Sequence, residues 1–231
     1  QLHGHHALEA DWIDDQARAV LEDVTVAAIK VGFAGSASGL AAIGEILSDY
    51  DELPVVTYLP ELAWWTDSER EVYLQACEDL VLPQTDVLVG NHHTLARWLL
   101  PDWDDERPPG PRDIARAAAQ HGVPYTLVTG QTRGERIDNH LASPEVVLAH
   151  AEFERIDATF IGAGDTLSAA LTALLAHGSE LSQAGAEALA YLDQALAHGF
   201  QPGMGHAVPD RLFWADSDST DGPDESSSPS P

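Results

Sequence analysis

The sequence has few basic residues, almost no sulfur-containing residues and no long apolar run. It contains 11 lysines and arginines against 38 aspartates and glutamates, so its formal net charge is −27. Such an acidic chain repels phosphate backbones, which argues against nucleic-acid binding. A single cysteine excludes an internal disulfide, and no stretch approaches the about 18 consecutive apolar residues of a membrane-spanning helix. We therefore expect a cytoplasmic protein without a nucleic-acid or membrane partner.

The acidic excess leaves two interpretations of the protein's habitat open. A chain with this charge and a single lysine, Lys30, repels itself at low ionic strength. Screening over about 10 Å at about 0.1 M salt relieves that repulsion only partly. Adaptation to a salt-rich, halophilic cytoplasm is the first interpretation, and an ordinary acidic protein is the second.

Three histidines near the start of the chain, His3, His5 and His6, raise the question of a metal site. No cysteine or carboxylate cluster accompanies them at the spacing of metal ligands. The sequence therefore predicts no metal site there.

Apolar segments rich in β-branched residues alternate with longer segments of helical period, which is typical of an α/β fold with a parallel sheet. The predicted strands are 26–31, 55–58, 86–89 and 125–128. The predicted helices are 11–22, 36–48, 68–82 with a capping box at Ser68 and Glu71, 91–100, 111–121, 164–176 and 181–198. Polar strands between 132 and 156 are expected to add an antiparallel edge. We expect one domain over residues 1–215 and a disordered, acidic, Ser/Pro-rich tail over 216–231.

The most informative segment is Gly162-Ala163-Gly164-Asp165, where a glycine turn meets the start of a helix of small residues. Glycines allow the backbone to approach an anion closely, and the first helical turn offers unpaired N–H groups with about half a positive charge. Asp165 could then take a proton from an attacking hydroxyl. The alternative is an ordinary helix start in which Asp165 or Thr166 is the N-cap.

Three segments carry a resemblance to a known family: Ala28-Ile29-Lys30-Val31-Gly32, Thr166-Leu167-Ser168-Ala169-Ala170 and Gly203-Met204-Gly205-His206. With the order of elements, they resemble the hydroxymethylpyrimidine/phosphomethylpyrimidine kinases of thiamine biosynthesis, in the ribokinase-like superfamily. The resemblance covers roughly residues 11–215. It implies a three-layer α/β/α fold with a mostly parallel sheet, and transfer of a phosphoryl group from ATP, with Mg²⁺, to a pyrimidine alcohol or its phosphate. A homodimer is also expected.

The resemblance also implies roles for individual residues. The amides of Gly162, Ala163 and Gly164 would form an anion hole, with Asp165 as the catalytic base. The nucleotide-binding candidates are Asn91, Thr129, Gly130 and His206, and the substrate-binding candidates are Lys30, Gly32 and Phe33. From the residues alone, Lys30 could instead form a plain ion pair, and Asn91 could be a helix cap.

Departures from the family pattern keep other functions open. The family's metal-linked glutamate falls on Thr94, and its nucleotide-facing lysine is absent from Thr129-Gly130-Gln131-Thr132. Members of this type often carry Cys where Asp165 stands, whereas Asp is usual in pyridoxal kinases of the superfamily. A pyridoxal kinase and a ligand-binding pseudoenzyme are therefore the alternatives. The family's opening strands have no counterpart here, so we expect that the chain is a fragment or that a partner covers the exposed sheet edge.

Overall fold

A single mixed sheet of six strands organises the computed structural model, which describes residues 5–215. The strands are β1 (Ile29–Val31), β2 (Val55–Leu59), β3 (Val87–Asn91), β4 (Tyr125–Arg133), β5 (Arg136–Ala142) and β6 (Val147–Glu154). They lie side by side in chain order. Strands β1 to β4 are parallel to one another, β5 pairs antiparallel with β4, and β6 pairs antiparallel with β5. The antiparallel edge predicted between residues 132 and 156 is confirmed. The tail predicted to be disordered, 216–231, lies outside the described residues.

Helices cover both faces of the sheet. They are α1 (Ala10–Leu21), α2 (Ala37–Asp49), α3 (Asp67–Ala76), α4 (His92–Leu99), α5 (Pro111–Ala119), α6 (Ala163–Ala176) and α7 (Leu181–Ala197). One core cluster joins the sheet to the helices that connect the parallel strands, as shown by Leu40, Leu88 and Ile114. A second cluster joins the opposite face to α6 and α7 through Leu127, Leu167 and Leu189. The predicted α/β architecture of three layers with a mostly parallel sheet is confirmed.

Two strand boundaries differ from the prediction by more than two residues. β1 begins at Ile29 and not at residue 26, because its neighbour β2 begins only after Pro54, which has no N–H to donate to a longer ladder. β4 continues past the predicted end at residue 128 as far as Arg133, since β5 pairs with it beyond an irregularity between Val128 and Gln131. Pairing partners that are distant in sequence therefore set both ends.

The predicted helix 68–82 is also corrected. Its start is α3 at Asp67, and the capping box is formed by Thr66 and Glu69 rather than by Ser68 and Glu71. The α-helix ends at Ala76 and continues as a π-helical turn, Cys77–Val81, and a 3₁₀ turn, Leu82–Gln84. Pro83 lies in that last turn, and proline is compatible only with the first turn of a helix.

The helices are short, and those after α1 each bury at least one residue. The longest, α7, has 17 residues, and its buried positions include Ala184, Ala188 and Leu192, which are four residues apart and share one face. Among residues 5–215, no helix combines the length and apolar character needed to cross a membrane.

Candidate active site

A left-handed glycine begins helix α6. Gly162 is the N-cap with φ 84° and ψ 8°, a conformation that glycine adopts without a steric penalty. The alternative in which Asp165 or Thr166 caps the helix is wrong, because the helix starts at Ala163 and places Asp165 in its first turn. Within residues 5–215, the amides of Ala163, Gly164 and Asp165 donate no hydrogen bond, whereas Thr166 N donates to Gly162 O at 2.9 Å. Three adjacent N–H groups are thus available to an anion.

Tyr58 holds the first turn of α6 close to the sheet. It lies on β2, and its ring packs so closely on Gly164 that any β-carbon there would overlap the ring. Burial, followed by the negative charges of Asp165 and Glu61, raises the pKa of Tyr58 to about 12. Its hydroxyl therefore stays protonated at neutral pH. The second glycine of the turn is required by this packing and not by backbone conformation.

The single lysine pairs with the candidate base. Alternation along β1 directs Ile29 and Val31 towards the first core cluster, so Lys30 faces α6 on the other side of the sheet. Its Nζ donates to Asp165 Oδ1 at 2.9 Å, with side-chain exposures of 25% for Lys30 and 54% for Asp165. The ion pair that the sequence left open for Lys30 is therefore formed, and its partner is Asp165.

Gly32 lies beside this ion pair. A β-carbon at Gly32 would lie 3.3 Å from Lys30 Nζ and 3.9 Å from Asp165 Oδ1. The structure thus brings together three predicted site residues, Lys30, Gly32 and Asp165, at one end of β1 and α6. A groove of about 660 Å³ opens at the ion pair and runs along α6, lined also by Arg211 and Trp214. The Asp165 carboxylate is accessible from this groove.

Arg211 is a residue of this site that sequence reasoning missed. Its Nε donates to Thr166 Oγ1 at 3.0 Å, and its Nη2 lies 3.1 Å from the place where a β-carbon of Gly162 would be. The C-terminal segment that carries it is tied to the turn, since Ile161 N donates to Ala207 O at 2.9 Å. No local pattern marks Arg211, because only this long-range pairing brings it to the turn. It adds a second cationic side chain in a chain that has few.

Three of the nucleotide-binding candidates form a separate group where β3 ends beside the irregularity in the middle of β4. Asn91 caps α4, as its Oδ1 accepts a hydrogen bond from His93 N at 2.9 Å, and its side-chain amide packs against Gly130. Thr129 pairs with Asn91 across the two strands. Gly130 N donates to Asn139 Oδ1 at 3.1 Å, so Asn139, which the sequence reasoning missed, supports this bend of β4.

His206 and Phe33 form no hydrogen bond with these groups within residues 5–215. His206 is exposed in the loop after α7, and among residues 5–215 the structure gives it no hydrogen bond to Asn91, Thr129 or Gly130. Phe33 packs in an aromatic cluster, with ring centroids 5.3 Å from Trp65 and 5.7 Å from Tyr73. Phe33 is nevertheless the chain neighbour of Gly32, which places this cluster next to the Lys30–Asp165 pair.

The donors near Asp165 suit a magnesium ion that arrives with phosphate groups. The negative charges of Asp165 and Glu61 both raise the pKa of Tyr58, but only Asp165 lines the groove along α6. Glu61 also lines a small pocket of about 200 Å³ with Thr94, the residue found at the family's metal-linked glutamate position. Mg²⁺ commonly uses one or two protein carboxylates together with substrate phosphates. Asp165 as a single carboxylate, together with the phosphates of ATP, therefore fits Mg²⁺.

The chain matches a known protein family and individual relatives of that family. The family described as phosphomethylpyrimidine kinase matches residues 1–210. The hydroxymethylpyrimidine/phosphomethylpyrimidine kinase of Bacillus subtilis is 25% identical over 89% of this chain and 76% of its own length. The thiamine biosynthesis multifunctional protein ThiED of Corynebacterium glutamicum is 29% identical over 84% of this chain, which spans only 25% of that protein.

A solved structure gives the same result for the fold. The ADP complex of Bacillus subtilis pyridoxal kinase matches with a TM-score of 0.79 and 21% identity, over 90% of this chain and 79% of that one. The fold is therefore the ribokinase-like fold of the vitamin kinases. Within that class, the chain belongs to the phosphomethylpyrimidine kinase family. The resemblance inferred from the sequence is confirmed.

Proposed function

We propose that this protein transfers the γ-phosphoryl group of ATP to hydroxymethylpyrimidine or its phosphate. One observation carries the proposal: an accessible carboxylate, Asp165, lies in the same helical turn as three amides that donate no hydrogen bond within residues 5–215. Phosphoryl transfer requires positioning and neutralisation of charge more than covalent chemistry by the protein. The proposal includes a cytoplasmic location and a single kinase domain over residues 1–215.

The proposed step uses each of these groups. The acceptor oxygen attacks the γ-phosphorus of ATP; a new O–P bond forms, the bond to the β-phosphate oxygen breaks, and ADP leaves. With an alcohol acceptor, the hydroxyl proton passes to the Asp165 carboxylate. The amides predicted as the anion hole, those of Gly162, Ala163 and Gly164, stabilise the oxygens of the transferring group together with the amide of Asp165. Lys30 and Arg211 add positive charge beside it. Asp165 would hold the Mg²⁺ that binds with ATP, and the ion would supply neutralisation of phosphate charge.

The remaining candidates take supporting roles in this proposal. Asn91, Thr129 and Gly130 lie together where the parallel pairing of β3 with β4 ends, and they are proposed to contact the nucleotide. Open α/β sheets usually bind ligands at the carboxyl ends of their parallel strands. His206 is proposed to reach the nucleotide from its exposed loop. Gly32 and Phe33 are proposed to contact the acceptor beside Asp165.

A pyridoxal kinase is the second candidate, and an aspartate at position 165 supports it together with the structural likeness described above. A panel of hydroxymethylpyrimidine, its phosphate and pyridoxal, each with ATP and Mg²⁺, separates the two by ADP release. We expect the pyrimidine acceptors to give the higher kcat/KM. A preference for pyridoxal would reverse the assignment.

The third candidate is a pseudoenzyme that binds ligands without transferring phosphoryl groups. Calorimetric titration with ATP discriminates it, because a competent kinase is expected to bind ATP more tightly when Mg²⁺ is present. ADP release above background in the acceptor panel would exclude the pseudoenzyme. Homodimerisation stays a prediction, and size-exclusion chromatography with light scattering tests it.

A further inference from the structure

Two antiparallel strands outside the candidate active site carry a compact set of metal-binding side chains. Asp138 and His140 lie on β5, and His150 lies on β6. One carboxylate oxygen and one nitrogen from each imidazole all lie within 4.8 Å of one another. Among residues 5–215 this is the single group of at least three such donors with this spacing.

Sheet register, and not chance proximity, brings these donors together. His140 is paired directly with His150 across the strands, and their rings stack with centroids 4.6 Å apart and planes 18° apart. Asp138 is two residues from His140, so both side chains project from the same face of β5. Its Oδ1 lies 3.7 Å from His150 Nε2.

Arg133 fixes the carboxylate in an orientation that leaves one oxygen for a ligand. Its Nε contacts Asp138 Oδ2 at 2.8 Å, whereas Oδ1 is the oxygen that faces His150. The Asp138 side chain is only 5% exposed, but that of His150 is 42% exposed. A rigid, buried carboxylate therefore stands beside imidazoles that solvent can reach. Partners that orient metal ligands in this way are typical of protein metal sites.

We propose that Asp138, His140 and His150 bind a divalent transition-metal ion, with Zn²⁺ as the preferred ion. Two imidazole nitrogens and one carboxylate oxygen form a donor set that suits Zn²⁺ better than Mg²⁺ or Ca²⁺. Zinc bonds to these donors are about 2.0–2.2 Å long, so a tetrahedral arrangement places donors about 3.4 Å apart. The two imidazole rings are nearly parallel, so at least one must turn about its side-chain bonds to direct its in-plane nitrogen lone pair at the ion. Three protein ligands leave a fourth position for water.

The proposed metal site is on the opposite side of the sheet from Asp165. His140 is paired with Val128, which belongs to the core cluster on the α4 and α5 side. The next residue, Leu141, belongs to the cluster that contains α6 and α7. The proposed ion is therefore separate from any Mg²⁺ that binds with ATP beside Asp165. Loss of the metal site and loss of kinase activity can be measured independently.

The experiment is a calorimetric titration of the full chain in which Zn²⁺ is the only titrant. The buffer contains a high concentration of NaCl and excess Mg²⁺. These conditions suppress weak binding of Zn²⁺ to the many surface carboxylates. We expect about one equivalent of Zn²⁺ to bind, and X-ray absorption to show two histidines with oxygen ligands at about 2.0–2.2 Å. The double variant His140→Ala/His150→Ala is expected to lose this equivalent, and Asp138→Asn to weaken it at least about tenfold.

Two controls make the result decisive. His177→Ala changes an exposed histidine at the end of α6 and is expected to keep the full stoichiometry. His3→Ala/His6→Ala tests the histidines near the start of the chain and is also expected to keep it. Circular dichroism verifies that each variant is folded. No binding by the wild type, or binding that persists in folded His140→Ala/His150→Ala, would overturn the proposal, as would binding that disappears in His3→Ala/His6→Ala.

Discussion

The close packing of Tyr58 on Gly164 predicts that Gly164→Ala disturbs the first turn of α6. A β-carbon at this position would lie within 2.5 Å of the Tyr58 hydroxyl oxygen and would overlap its ring, so either the ring or the first turn of α6 must move. Overpacking of this kind costs about 1–3 kcal/mol of unfolding free energy. Alanine regains roughly 0.5–1 kcal/mol because it restricts the unfolded chain more than glycine does. The net loss is therefore roughly 0.5–2 kcal/mol.

This loss corresponds to a decrease in Tm of about 1–8 °C for a protein of this size. Thermal unfolding followed by circular dichroism measures it, and calorimetry with ATP and Mg²⁺ measures the accompanying loss of nucleotide affinity. Gly203→Ala is the matched control, since a β-carbon at Gly203 would meet no atom within 4 Å. Gly203→Ala is expected to leave Tm unchanged or slightly higher.

A double variant tests whether the Tyr58 ring is the cause. Removal of the ring makes room for the methyl group, so Gly164→Ala/Tyr58→Ala is expected to be destabilised by less than the sum of the two single variants. Strict additivity would refute the packing argument. So would a Gly164→Ala variant as stable as Gly203→Ala with unchanged ATP binding.

Three further predictions concern charge and burial. Lys30→Gln is expected to change the unfolding free energy by less than about 1 kcal/mol, because both partners of its ion pair are partly exposed. The same variant is expected to raise the KM for the acceptor in steady-state assays. A large loss of stability would contradict a role at the site. Burial raises the pKa of the Cys77 thiol to about 12, so thiol reagents at pH 8 are expected to label Cys77 only after unfolding. Rapid labelling of the folded protein would contradict the burial of Cys77. The net charge of −27 predicts that Tm rises as NaCl is increased from about 0.1 to about 1 M, because the screening length falls from about 10 to about 3 Å over that range. A Tm that falls would argue against charge repulsion as a destabilising force.

The order of elements and the glycine turn were predictable because their signals are local. The alternation of apolar, β-branched segments with segments of helical period located all four parallel strands. The turn at Gly162 marked the start of α6 within two residues. Asn91 was predictable as a helix cap, since Asn before a helical segment is a common cap. The residues around the start of α6 did not reveal which of them is the N-cap. The segment from Gly162 to Thr166 is compatible both with a left-handed glycine as N-cap and with a side-chain cap by Asp165 or Thr166.

The rest of the site depends on contacts between distant segments. Lys30 and Asp165 are 135 residues apart in the chain, so neither sequence context names the other as its partner. Arg211 reaches the turn only because the C-terminal segment pairs with Phe160. The donors Asp138, His140 and His150 meet only through the register of two strands, and a shift by one residue would direct them to different faces.

The most direct test of the proposed function is the kcat of Asp165→Asn with ATP, Mg²⁺ and hydroxymethylpyrimidine. Asparagine keeps the shape of the side chain but cannot accept the acceptor's proton, so we expect kcat to fall by about 10²–10⁴-fold. Circular dichroism is expected to match the wild type, and Asp102→Asn, which changes an exposed loop carboxylate, is expected to keep full activity. A folded Asp165→Asn variant with the wild-type kcat would contradict the central claim that Asp165 is the catalytic base.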